Sequence, residues 1–304
     1  MRTQQNGVAI VLAMGVVVLA ALAATAMMMS QSTWLRQVEL TAGHSQAQLI
    51  IQAGLDWSRA VLSDDRRVSN IDSLDEPWAL RLPPIPVENG NLVGHIEDQQ
   101  GKFNLNNLLK NGKVNLVQLE HFRRLLSILT LPPTLADALV DWIDSDGKPQ
   151  PQDGAEAAYY LSLQSPYLTA NQPLIDVAEL VLVRGFDDNV RARLRPFVTA
   201  LPRYTAVNAN TAPPEVLAAV IDGLDLEGAR VIVAQRERVH FRNFSDFFNQ
   251  LPTGLIVPTE NISVNSDYFI ATMRITISGA QAQGSALLAR SHTGWPAIIW
   301  RKYS

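Results

Sequence analysis

Six carboxylates fall within twenty residues of one another: Asp137, Asp141, Asp144, Asp146, Asp153 and Glu156. Hard oxygen donors this close in sequence, with Gly147 and Gly154 between them to permit tight turns, suit Ca²⁺. The spacing is not that of an EF-hand: glycine comes three residues after Asp144 rather than five, and no glutamate falls at the twelfth position. The competing reading makes Asp141 and Asp144 helix caps and leaves the other carboxylates to water. Asp137 and Asp141 lie one helical turn apart, so they could support such a site from behind. Carboxylates placed so tightly repel one another unless a cation joins them, which would make the metal structural.

No catalytic constellation stands beside this cluster. His44, His95, His121, His240 and His292 are scattered, without metal-ligand spacing, and there is no Gly-x-Ser-x-Gly and no phosphate-cradling loop. The sequence therefore predicts a chain that is not an enzyme. A net charge of −4 gives no general attraction to nucleic acid. Cysteine is absent, which excludes disulfides and thiolate chemistry.

The elements that must carry the cluster begin with an anchor. After Met1–Gly7 the chain is apolar from Val8 to Met29, and no charge appears between Arg2 and Arg36. A bilayer-spanning helix needs about 20 such residues. Proline is missing from Met1 through Glu76, and apolar residues recur amphipathically to Leu62, so a single helix is predicted over 8–62. Three fates are open to it. It could be a secretory signal cut near Ala24-Thr25-Ala26, a plain anchor, or an assembly helix.

Ser63–Gly90 reads as a loop closing on an Asn89-Gly90 turn, and Leu92–Glu97 as a strand. A helical region follows with a repeat inside it. Phe103-Asn104-Leu105-Asn106 and Val207-Asn208-Ala209-Asn210 each precede a helical hairpin, and each hairpin is trailed by a short helix-like piece, 175–183 and 244–251. Asn is expected there to cap exposed helix N–H groups. Tyr268–Ile277, Ser285–Arg290 and Ala297–Tyr303 read as strands that could pair with the strand near Leu92. The fold class is α/β, with a largely helical insertion.

The second hairpin resembles helix-hairpin-helix DNA-binding modules. Its turn, however, is Gly223-Leu224-Asp225, with Asp in place of the second glycine and with Asp222 and Glu227 adjacent. Such carboxylates oppose a DNA backbone. Arg230, Arg236, Arg238 and Arg242 read as the wet face of a helix. A packing or protein-interaction unit is expected, with no nucleic acid.

The Gly7-Val8 junction, a glycine ending a polar leader just before an apolar helix, resembles the processing site of type IV pilins and pseudopilins. Most of those carry Glu at the fifth residue after the cut, where this chain has Leu12. A carboxylate in hydrocarbon needs a partner, which the N-terminus of a neighbouring subunit can supply; a subunit at the tip of a fibre has no need of that contact. Gly101–Asn106, Leu139–Gly147, Gly154–Tyr160 and Asn208–Leu217 are similar, in that order, to segments of the minor pseudopilin K (GspK) family of the type II secretion system.

The resemblance implies a pilin-like fold. A cleaved leader (1–7) would precede a transmembrane and amphipathic helix (8–62). Next come a loop with the first strand of the pilin-like sheet (63–103), a helical insertion with two helix-hairpin-helix-like units (104–260) and the closing strands (261–304). It implies cutting after Gly7 by a prepilin peptidase and N-methylation of Val8, in an inner-membrane protein with a periplasmic C-terminal domain. Minor pseudopilins I and J become the expected partners, and capping of the pseudopilus tip, with initiation of its assembly, the expected role. The family's insertion binds calcium. That carries Asp144, Asp146 and Glu156 over as ligands, with Asp141 and Asp153 as further members.

Overall fold

A computed structural model describes residues 5–81, 83–87, 90–255, 257–277, 280–291 and 294–304. Arg2, Asn89 and His292, which figured in the sequence reading, lie outside the described residues. Helix α1 runs Gln5–Val68 without interruption, because no proline breaks its hydrogen-bond ladder. Gly7–Val68 spans roughly 90 Å at the rise of an α-helix. The upper turns stand free: Val8, Leu12, Leu19, Met28, Trp34 and Val38 are exposed. From Ala47 one face is buried, through Ile51, Leu55 and Leu62, at spacings of one or two turns.

That face lies on a five-stranded antiparallel sheet of order β1-β2-β9-β10-β11. Its strands are β1 (Ile85–Val87), β2 (Gly90–Asp98), β9 (Tyr268–Ile277), β10 (Ala280–Ala289) and β11 (Ala297–Tyr303). Phe269, Ala271, Met273, Ile275 and Ile277 alternate inward along β9 and form a core with α1 and Trp78. Glycine permits the close approach. A Cβ on Gly284 would lie 2.4 Å from Ile51 Cγ2, and one on Gly54 would lie 2.9 Å from Met273 Sδ. The strand near Leu92 pairs with β9 across the insertion, Leu92 opposite Ile275, as the sequence suggested.

Two boundaries differ from the sequence reading. The segment read as a loop from Ser63 is helical to Val68, and it then buries Trp78 on a 3₁₀ turn, Pro77–Ala79. The strand read as Ser285–Arg290 is only the second half of β10, which ends at Ala289 and whose Ala-Gln-Ala-Gln-Gly start has no β-branched residue to mark it.

Between β2 and β9 the chain forms two units of the same plan. The first starts with β3 (Phe103–Asn104), a 3₁₀ turn (Leu105–Leu108) and a two-strand ribbon, β4 (Leu109–Lys110) and β5 (Lys113–Val114). Its hairpin is α2 (Leu116–Ile128) and α3 (Leu135–Ile143). After α4 (Ala157–Leu161), the expected helix-like piece is a 3₁₀ helix (Val177–Leu182), and α5 (Asp188–Leu194) leads to β6 (Val198–Thr199). The second unit is β7 (Val207–Asn208), hairpin α6 (Pro214–Val220) and α7 (Leu226–Arg236), α8 (Phe244–Phe248) and β8 (Ile262–Ser263). In each, the first and last strands pair in parallel, Phe103 with Val198 and Val207 with Ile262. One hydrophobic core runs through both, from Phe103 and Phe122 to Ile232 and Phe247. Arg124 of α2 joins the hairpins by donating to Ala219 O and Ile221 O at the end of α6 and pairing with Asp222 at 2.7 Å.

The Asn-x-Asn pairs do more than the capping assigned to them. The first Asn of each accepts from the backbone N–H two residues on, Asn104 from Asn106 and Asn208 from Asn210. The second closes on both backbone groups of one distant residue: Asn106 on Leu174 N and O, Asn210 on Phe241 N and O. The repeat thus extends to individual hydrogen bonds. Asn210 is buried. Asn210→Ala strands a buried N–H and a buried C=O and is expected to cost about 2–3 kcal/mol, read as a lower midpoint in urea unfolding with an unchanged slope.

Candidate metal centre and membrane helix

Helix α3 is fully buried, Asp137 and Asp141 included, and its C-terminal cap is Asp144. The loop 145–155 then returns to Glu156, the N-cap residue of α4. Oxygen atoms of Asp144, Asp146 and Glu156 all lie within 4.8 Å of one another. Asp144 Oδ1 accepts from Asp146 N at 3.3 Å, and Asp146 Oδ1 from Lys148 N at 2.8 Å. Asp144 Oδ2 and Glu156 Oε1 are buried and have no hydrogen-bond partner. Among the described residues, none of the three carboxylates makes an ion pair. Three convergent carboxylates with two orphaned buried oxygens fit a hard divalent cation.

The two less central candidates divide. Asp141 turns its carboxylate to the loop backbone, and both oxygens accept from Gln150 N at 3.1 Å. Gly154 lies against it so closely that a Cβ would sit 2.3 Å from Asp141 Oδ2. Asp141 therefore shapes the loop from behind. Asp153, named above as a further ligand, is not among the three converging carboxylates; it pairs with Arg184 at 2.8 Å. Asp137 is engaged by Arg123 at 2.9 Å. Burial pushes the Asp141 carboxyl up to about 6 and raises those of Asp144 and Glu156; the neighbouring carboxylates push Glu156 further the same way.

A second polar cluster, with no signal in the sequence, lies where α1, the sheet and the insertion meet. Arg290 at the end of β10 pairs with Asp65 of α1 at 2.8 Å, pairs with Asp72, and donates to Ser266 O. Ser266 donates to Asp72 and, at 2.7 Å, to Asp98 of β2. Asp98 Oδ2 also accepts from Asn208 and Thr211 of the second unit. Arg290, Asp72 and Asp98 are buried. Asp65 faces inward from a stretch that reads as a loop in the sequence.

Arg236 also departs from the sequence reading. It is not on a wet face: it is buried, and donates to Ala209 O at 2.6 Å and Ala212 O at 2.5 Å. Burial lowers its guanidinium to about 10. In the turn before α7, Gly223 takes a positive φ of 83° and Asp225 caps the helix through Gly228 N.

An exposed apolar helix long enough by length and composition to cross a membrane, packed through its last third on a small antiparallel sheet that carries a helical insertion, is the arrangement of a pilin-like subunit. Residues 101–203 and 207–265 match family models described as type II secretion system (T2SS), protein K, and the break between them falls between the two units of the insertion. Type II secretion system protein K of Pseudomonas aeruginosa is 34% identical over 99% of this chain and 93% of its own length. The protein of the same name from Klebsiella pneumoniae is 30% identical over 100% and 98%. The crystal structure of the GspK-GspI-GspJ complex from enterotoxigenic Escherichia coli contains a chain that matches with a TM-score of 0.77 and 25% identity, over 88% of this chain and 99% of that one. The chain belongs to the type II secretion system protein K family.

Proposed function

We propose that this chain is a minor pseudopilin of a type II secretion system that caps the tip of the periplasmic pseudopilus and helps initiate its assembly. The observation that carries this is the exposed α1 above a broad insertion, in a chain matching protein K over nearly its whole length. Minor pseudopilins I and J are its partners, in keeping with the K–I–J complex to which its fold is similar. Exposed Leu19, Trp34, Leu35 and Val38 supply the apolar surface that leaves lipid or water when neighbouring helices close around α1. Leu12 has no carboxylate to offer a subunit ahead of it, which suits a first position in the fibre.

Prepilin peptidase cuts after Gly7, and Val8 becomes the N-methylated terminus. The leader stays on the cytoplasmic side of the inner membrane and residues beyond the span lie in the periplasm. The insertion widens the subunit into a cap; its helix-hairpin-helix-like units serve packing. Asp225 caps α7 in the position where a DNA-binding turn has its second glycine, and its carboxylate would oppose a phosphate, so DNA is not a partner. Calcium joins Asp144, Asp146 and Glu156 as a structural ion. The chain catalyses no reaction.

Mass spectrometry of the membrane-extracted protein tests the leader, with an N-methylated Val8 terminus expected. A terminus near Met27 would mean an exported protein with a removed signal and would end the pseudopilin reading. Co-expression with the I and J subunits of the same system is expected to yield a 1:1:1 complex by light scattering, and separate elution of this chain would count against the tip assignment.

A further inference from the structure

The acidic loop is foreign to the plan of the repeat. In the second unit the link from the hairpin to the residue held by the Asn clamp is only 237–240; in the first it is 144–173, and it carries the whole carboxylate cluster. The contacts that hold the second link are therefore of no use to the first, which needs anchors of its own. Asp141 supplies one. Another comes from Arg184, just beyond the 3₁₀ helix.

Arg184 reaches the loop on both sides of Glu156. Before it, one guanidinium nitrogen pairs with Asp153 at 2.8 Å and another donates to Gly154 O at 3.3 Å. After it, the guanidinium lies over the Tyr159 ring at 4.8 Å, and the Arg184 backbone N–H donates to Tyr160 Oη at 3.2 Å. Tyr160 is in turn buried against Trp142 of α3. Resting on the calcium reading above, we propose that Arg184 is the positioning residue that sets Glu156 against Asp144 and Asp146, and so sets the affinity of the site.

The chemistry fits arginine and no other cation. A planar fork can bond Asp153 and Gly154 O together while its face covers an aromatic ring; lysine can neutralise Asp153 but cannot do all three. The Arg184 and Asp153 side chains are about one-third and two-fifths exposed, so their ion pair adds little to folding by itself. Loss of Arg184 should therefore appear in metal binding rather than in the stability of the metal-free chain. Supporting contacts behind metal ligands are typically worth about 10–100-fold in affinity.

The test is calorimetric titration of Ca²⁺ into the chelator-treated full chain in detergent, for wild type, R184A, R184K and D153N. R184A is expected to bind about tenfold more weakly or worse, with R184K intermediate and D153N between R184K and wild type. Metal-free melting temperatures are expected to stay within about 2 °C of wild type, as for loss of a surface pair. R184A binding within twofold of wild type would overturn the assignment while leaving the calcium site standing. Wild type showing no calcium heat would overturn the calcium reading and this assignment with it. A metal-free R184A that has lost its melting transition would show a residue of the fold, which also overturns the assignment.

Discussion

Arg290→Ala is expected to remove about 3–5 kcal/mol of stability, lowering the melting temperature of the full chain in detergent by on the order of 10 °C. The change leaves Asp65 and Asp72 buried without their cation, breaks the bond to Ser266 O and uncovers the Phe269 ring, over which the guanidinium lies at 4.8 Å. Its effect should depend on pH with a definite sign. Burial already raises the Asp65 carboxyl to about 6, helped by Glu76 and Asp72 and opposed by Arg290. A carboxyl raised in the folded state favours folding fully below its ordinary value and loses that contribution as pH rises through the folded value. Without Arg290 the folded value climbs further. The gap between mutant and wild type should therefore be smaller near pH 5 than near pH 8, by the part that Asp65 contributes. A gap independent of pH would mean that the loss comes from packing alone. Coupling checks the same point: Asp72→Asn added to Arg290→Ala should restore stability relative to Arg290→Ala, because the two share one network.

What could be read without coordinates follows from the range of the forces involved. Short-range periodicity was legible. The proline-free amphipathic run gave α1 to within a few residues, and enrichment in β-branched and aromatic residues gave Tyr268–Ile277 and Ala297–Tyr303 as they stand. Roles set by distant chain were not. Asn106 and Asn210 looked like caps because their targets, Leu174 and Phe241, are far along the chain. Arg236 looked solvated because nothing local says that Ala209 and Ala212 present carbonyls to it. The junction of Asp65, Asp72, Asp98 and Arg290 joins four separate segments and has no local pattern at all. The candidate metal centre lies between these extremes. Its residue types and glycine turns were visible, and Asp144, Asp146 and Glu156 do converge. Asp153 stands apart from them because its partner, Arg184, lies beyond α4 and the 3₁₀ helix, where local sequence gives no sign of it.

Chelation is expected to separate the loop from the rest of the fold. Calcium at about 100 times its dissociation constant should stabilise the folded chain by about 2.7 kcal/mol, raising the melting temperature by roughly 5–10 °C over the chelated protein. Without the ion, Asp144 and Glu156 keep buried oxygens that nothing bonds, and three carboxylates face one another within 4.8 Å. The combined change Asp144→Asn and Glu156→Gln should then act in opposite directions in the two states. In chelator the variant should melt at or above the wild-type temperature, because two neutral amides relieve the repulsion. In calcium it should gain almost nothing, because the hard anionic donors are gone. The two melting curves would cross on addition of metal. A loop of merely solvated caps predicts no crossing: wild type would ignore the chelator, and the variant would be no more stable than wild type in either buffer. Equal calcium shifts in both chains would place the ion elsewhere on the protein. The crossing is a property of charge and not of shape, since Asn and Gln keep the volumes of the residues they replace.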